Sequence, residues 1–302
     1  MRVTLPLQSP HRCAHLLLCL AFSLGLARAQ QPETAPAAPQ PAPVISPEIA
    51  AAITPTDRLD VPWWAERHTR IVDAVRAHTD VQLLLIGDSI TQNYDKANPP
   101  DEDFLPIWKQ FYEPRRALNL GFSGDTTANV LWRLTHGEID GLSPRVAVIL
   151  IGTNNTGHAH QTAEQTEAGI DNIIGVLSQR LPQTRLLLLG ILPSDVSPEK
   201  TAADQAINQY LAVRYGKNTG LNAHLGVNQD PRVTFLDISS TVMADGKLNT
   251  AVFYDPRLPT PGKPLHPDAK GQRKMAEAIE PTLAKLMGDK SRTDVSPPSP
   301  LP

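Results

Sequence analysis

Ser89 stands in the run Gly87-Asp88-Ser89-Ile90-Thr91, directly after the apolar stretch Val81 to Ile86. A serine at the turn from a strand into a helix has its hydroxyl exposed at the sheet edge. The helix start places amide donors and partial positive charge beside it. Taken alone, such a run is also ordinary turn and cap chemistry. Three further segments change its weight. Asn119 to Thr126 (NLGFSGDT) closes a second apolar run with glycines where the backbone must turn sharply, and Gly152-Thr153-Asn154-Asn155 closes a third with a side-chain amide. Late in the chain comes Leu265-His266-Pro267-Asp268, a histidine just ahead of a helix that Asp268 can cap. A hydroxyl, a flexible backbone amide, a carboxamide and an imidazole are the parts of acyl transfer: nucleophile, general base and oxyanion donors.

These parts need a scaffold that brings four loops to one edge. Val81 to Ile86, Ala117 to Leu120, Val146 to Ile151, Leu186 to Ile191 and Val233 to Leu236 are short, nearly continuous apolar runs. Runs apolar on both faces fit strands of a parallel sheet covered by helices. Between them, Ile170, Ile173, Ile174 and Leu177 form one stripe at helical spacing, and Ala276, Ile279, Leu283 and Leu286 another. Pro281 should bend that last helix or remove one of its hydrogen bonds. The expected fold class is α/β, a three-layer sandwich whose ligands sit beyond the carboxyl ends of the strands.

The chain has 302 residues, 41% hydrophobic and 20% charged, which fits a globular core. Lys+Arg number 28 against Asp+Glu 31, with no basic block, so nucleic acid is not an expected partner. Cys13 and Cys19 are the two cysteines, too few for a disulfide scaffold or a Cys-rich zinc site. Arg2 and Arg12 precede the apolar run Leu16 to Leu26, and Ala27-Arg28-Ala29 is a small-x-small cleavage pattern. Residues 1–29 therefore read as a signal peptide, with an apolar stretch too short for a stable membrane anchor. Cleavage there removes Arg2, Arg12, Arg28 and both cysteines, leaving a more acidic, thiol-free chain suited to an oxidising compartment. Residues 30–48 read as a Pro-rich linker, 49–288 as the folded domain and 289–302 as a disordered tail. An exported, periplasmic protein is expected.

The four motif blocks resemble those of the SGNH (GDSL) hydrolase superfamily. They are most similar to the branch containing the catalytic subunits of intracellular platelet-activating-factor acetylhydrolase. The likeness runs through Ala117 to Asn119, Gly124 to Thr127, Val130 to Leu134, Gly137-Glu138 and Gly152 to Asn155 with Gly157-His158. It implies a flavodoxin-like, five-stranded parallel sheet of order 2-1-3-4-5. It also implies Ser89 as nucleophile, His266 as general base, and an oxyanion hole from the Ser89 and Gly124 amides and the Asn154 side chain. No cofactor and no metal are implied. The family's Asp three residues before the histidine is replaced by Lys263. Two candidates remain to orient His266: Asp255, displaced by the insertion Pro256 to Pro264, or a backbone carbonyl such as that of Lys263. Asp268 is explained by capping.

The reading is a secreted serine esterase acting through an acyl-enzyme on small acyl esters, acetyl above all, with O-acetylated glycans as expected partners. A non-catalytic glycan-binding protein and an acyltransferase would use the same cleft. The sequence sets no oligomeric state. His158 and His160 form a His-x-His beside the Asn154 loop with no third ligand in view, so His158 is expected to line the site rim or hydrogen-bond a loop. Trp63, Trp64 and Trp132 are read as packing aromatics and Asp88 as a turn residue.

Overall fold

The computed structural model describes residues 47–78, 80–216 and 230–293. The expected signal peptide, nearly all of the linker and the end of the tail lie outside the described residues. Helices α1 (Pro47–Ile53) and α2 (Pro62–Ala77) lead into β1 (Leu83–Gly87) and the one-turn α3 (Ser89–Gln92). A small hairpin, β2 (Ala97–Asn98) and β3 (Glu102–Asp103), precedes α4 (Leu105–Phe111), β4 (Ala117–Gly121) and α5 (Thr127–Thr135). Then come β5 (Val146–Leu150), the one-turn α6 (Thr153–Thr156), α7 (Ala163–Arg180), β6 (Arg185–Leu189) and α8 (Pro198–Tyr215). The chain continues through β7 (Val233–Leu236), a second hairpin of β8 (Met243–Ala244) and β9 (Lys247–Leu248), and α9 (Ala269–Met287).

The order β4-β1-β5-β6-β7 is parallel throughout. Counting only these five strands it is 2-1-3-4-5, the flavodoxin-like arrangement. The strands lie within two residues of the apolar runs that announce them, and Val233–Leu236 coincides with its run. Alternate side chains divide the core in two. Leu84 and Ile86 pack with Ile71 and Val75 of α2, Val130 of α5 and Ile170 of α7. Leu83 and Leu85 pack with Ile107 and Phe111 of α4 and Met275, Ile279 and Leu283 of α9. Each fully buried Leu or Ile contributes roughly 1.5–3 kcal/mol, which is why strands buried on both faces are apolar throughout.

Register is what serves the site. Gly87 pairs level with both Gly121 and Leu150, so β1, β4 and β5 deliver their loops at one height. A Cβ at Gly121 would lie 2.2 Å from the Gln92 amide nitrogen, so α3 packs against β4 at a distance only glycine permits. Helix α9 runs through Pro281 without interruption. The first residues of the segment read as a tail are tied to the domain. Asp289 pairs with the buried Arg115 at 2.8 Å, and the Arg292 amide donates to Glu280 at 2.7 Å. At the other end, Pro47 and Glu48 of the expected linker open α1. Among the described residues, no helix is long and apolar enough to cross a membrane.

Candidate active site

Ser89 opens α3, two residues beyond the end of β1, and is buried but for 7% of its surface. The Asp88 carboxylate caps this helix by accepting the Ile90 amide at 3.0 Å. Gln272 of α9 donates to the Ile90 carbonyl at 2.7 Å, linking the serine helix to the helix that follows His266. Ser89 Oγ lies 3.0 Å from His266 Nε2, a hydrogen-bond distance across a separation of 177 residues.

On the other side of the ring, His266 Nδ1 lies 2.6 Å from Asp255 Oδ1. The second carboxylate oxygen accepts the backbone amides of His266 at 2.7 Å and Leu265 at 3.0 Å. Of the two partners left open by the sequence, Asp255 therefore occupies the Nδ1 side. Residues 256–264 are looped out between two strands of chain held together at their base. Phe253 and Pro267 form an antiparallel bridge, and the Tyr254 amide donates to the His266 carbonyl at 3.2 Å. The Gly262 amide closes the loop on the Asp255 carbonyl at 3.0 Å. Burial pushes the Asp255 carboxyl up, but the hydrogen bonds from His266 and Leu265 outweigh it and hold the pKa below 3.8. Lys263 faces outward to Asp195, and Asp268 caps α9 through the Gly271 amide at 2.8 Å while pairing with Arg257. The Tyr254 ring stacks on the imidazole at 5.5 Å between centroids.

The other two loops supply donors. Gly124 has φ +79°, a conformation that favours glycine, and its N–H has no acceptor among the described residues. Asn154, on α6, donates one amide hydrogen to the Asp125 carbonyl at 2.9 Å. An amide has two, and the second is uncommitted among the described residues. With the Ser89 amide in the first turn of α3, where N–H groups lack intrahelical acceptors, these groups can hold a developing oxyanion.

Beneath the Gly124 loop lies a charged network of which the sequence carries one sign and none of the pairings. Asp125 is fully buried, and accepts Trp64 Nε1 at 2.8 Å and Arg133 Nε at 2.8 Å. Arg133, also fully buried, spans to Glu138 at 2.5 Å, and Glu138 to His68 at 2.9 Å. The Arg133 guanidinium lies 4.0 Å from the Phe122 ring centre. The signal was a lone arginine on the apolar Val130, Leu131, Leu134 face of a helix, which demands a buried carboxylate. Trp64 is buried here, whereas Trp63 is 40% exposed. Burial raises the Asp88 carboxyl from 3.8 to about 6, against the opposing Ile90 amide and nearby His266. His158 is exposed at the surface, and its pKa is lowered by partial desolvation and by the charge of Arg58. Among the described residues, no group of three His, Cys, Asp or Glu is placed to hold a metal.

The open parallel α/β sheet thus holds a serine, a histidine and a carboxylate in line at its carboxyl edge. Residues 85–274 match the model of the GDSL-like lipase/acylhydrolase family, and the chain belongs to that family. It is 31% identical over 242 residues to the platelet-activating factor acetylhydrolase IB subunit alpha1 of Bos taurus, covering 79% of this chain and 90% of that one. It is 36% identical over 177 residues to the alpha2 subunit of Rattus norvegicus, covering 58% and 69%. In fold it resembles a provisionally named acylhydrolase from Bacteroides fragilis, with a TM-score of 0.52, 18% identity, and coverage of 77% and 99%.

Proposed function

We propose that the protein is an exported serine esterase that removes small acyl groups, acetyl above all, from extracytoplasmic esters such as O-acetylated glycans. The observation that carries this reading is the relay from Ser89 Oγ through His266 to Asp255, at 3.0 and 2.6 Å, beside uncommitted amide donors. Ser89 Oγ attacks the ester carbonyl while His266 Nε2 takes its proton. Asp255 stabilises the resulting imidazolium and holds Nδ1 protonated, so that Nε2 starts as the acceptor. The amides of Ser89 and Gly124 and the Asn154 side chain receive the negative oxygen. Collapse expels the alcohol, which takes the proton from His266, and leaves an acyl-Ser89 ester. Water, activated by the same imidazole, then releases the acid and restores the serine.

Acetyl is supported by the acetylhydrolase names of the relatives, and export by the leader-like first 29 residues. The test is acid release by purified protein from 4-nitrophenyl acetate, butyrate and octanoate, and from O-acetylated and deacetylated glycans. The reading expects acetate to be the fastest acyl group and acetylated glycan to yield acetate. Binding of glycan with no turnover of any ester would overturn it in favour of a binding protein. Transfer of acetyl to a sugar alcohol faster than to water would make it an acyltransferase.

A further inference from the structure

Arg58 reaches the catalytic edge from the segment between α1 and α2. Its Nη1 donates to the Ser123 carbonyl at 2.8 Å and pairs with Asp125 Oδ1 at 3.2 Å. A Cβ built on Gly124 would lie 3.1 Å from Nη1 and 3.5 Å from Nη2. The guanidinium thus borders the residue whose amide is read as an oxyanion donor. Nε and Nη2 have no acceptor among the described residues, and the side chain is 28% exposed. One face of the guanidinium lies over the exposed Trp63 ring, 5.6 Å from its centre.

Arg58 does not have the Asp125 carboxylate to itself. Asp125 is shared with Arg133 and Trp64, while Asp125, Arg133 and Glu138 are all fully buried. Arg58 is therefore the cation of this cluster that faces solvent. The neighbouring Asp57 and Asp60 make no ion pair with it; Asp57 instead accepts the Leu59 amide. His158 follows the one-turn helix that carries Asn154, and the charge of Arg58 is one cause of its lowered pKa.

We infer that Arg58 forms an anion subsite at the mouth of the centre, selecting esters that carry a carboxylate or phosphate close to the acyl group being removed. The inference rests on the esterase reading and narrows its substrate class to acidic esters, of which an acetylated uronate is one form. A guanidinium presents paired donors that match the planar carboxylate or the phosphate edge, and its attraction is screened by salt.

The test compares 4-acetoxybenzoate with its uncharged methyl ester, reading the ratio of the two kcat/KM values for acetate release. 4-Acetoxyphenyl phosphate is a third arm that separates carboxylate from phosphate preference. The native protein should favour an anionic ester by about tenfold at low salt, about 1.4 kcal/mol, and the ratio should fall as sodium chloride is raised. Arg58→Gln should bring the ratio close to one, and Arg58→Lys should keep part of it. A ratio near one in the native protein for both anions, or an unchanged ratio in Arg58→Gln, would refute the subsite and leave Arg58 as a clamp on the Ser123 loop. Failure of the native protein to cleave any of the three esters would instead refute the esterase reading beneath it.

Discussion

Replacing Asp255 by Asn removes one charge and keeps the shape, so its cost can be worked from the contacts. Asp255 Oδ2 accepts two backbone amides, from His266 and Leu265, at 2.7 and 3.0 Å. In Asp255→Asn the single amide oxygen must stay with those two donors, since an NH2 group there would oppose two N–H groups. The NH2 group is then turned onto Nδ1, where the carboxylate stood at 2.6 Å. Nδ1 becomes an acceptor, and the imidazole proton moves to Nε2. An Nε2–H cannot accept the Ser89 proton, and no negative charge remains beside the imidazolium. Both losses act on the same step, and the expected fall in kcat is about 10^4-fold, or about 5.4 kcal/mol. The assay is 4-nitrophenyl acetate hydrolysis with active-site titration, alongside thermal unfolding to show that the fold is retained. A loss below about tenfold in a folded variant would refute the argument that Asp255 sets the tautomer.

Other substitutions probe the remaining parts. Asn154→Ala should lower kcat by about 10^2–10^3, roughly 2.7–4 kcal/mol, with little change in KM, because the donor acts on the transition state; a change confined to KM would recast Asn154 as a substrate contact. Asp88 has its pKa raised from 3.8 to about 6, so the fold holds a proton that the unfolded chain has lost between those values. Stability should therefore fall as pH rises through this window, and Asp88→Asn, which can still cap Ile90, should be more stable than the native chain above pH 6 by up to roughly 3 kcal/mol. Urea unfolding at pH 4 and 7.5 checks this, and an equal effect at both would contradict it. Arg133→Met leaves Asp125 and Glu138 buried without their main cation and should cost about 3–5 kcal/mol at neutral pH, read as a lower Tm; an unchanged Tm would refute the buried network as a stabilising unit.

The sheet was legible because its strands are buried on both faces, so Leu83 to Ile86 or Val146 to Leu150 have no polar option and announce themselves. Ser89, Gly124, Asn154 and His266 were legible for a different reason. Each sits at the end of such a run, or ahead of a capped helix, and parallel topology brings those ends to one edge. Asp255 was half legible: the sequence left it beside a backbone carbonyl as an alternative, and only the Phe253–Pro267 bridge shows that the nine-residue insertion leaves its two ends together. The Trp64, Asp125, Arg133, Glu138 and His68 network escaped because its members pair over separations up to 70 residues. No local period marks such pairs. Arg58 escaped too, since a lone arginine in an irregular segment is ordinarily a solvated side chain.

Covalent labelling of Ser89 tests the central claim most directly. The protein is incubated with a fluorophosphonate, digested, and mapped by mass spectrometry, in parallel with Ser89→Ala and its 4-nitrophenyl acetate turnover. The account predicts one adduct, on the peptide carrying Gly87-Asp88-Ser89-Ile90-Thr91, blocked by prior acylation and absent from a folded but inactive Ser89→Ala. An adduct on another residue, or native-like turnover by Ser89→Ala, would contradict it.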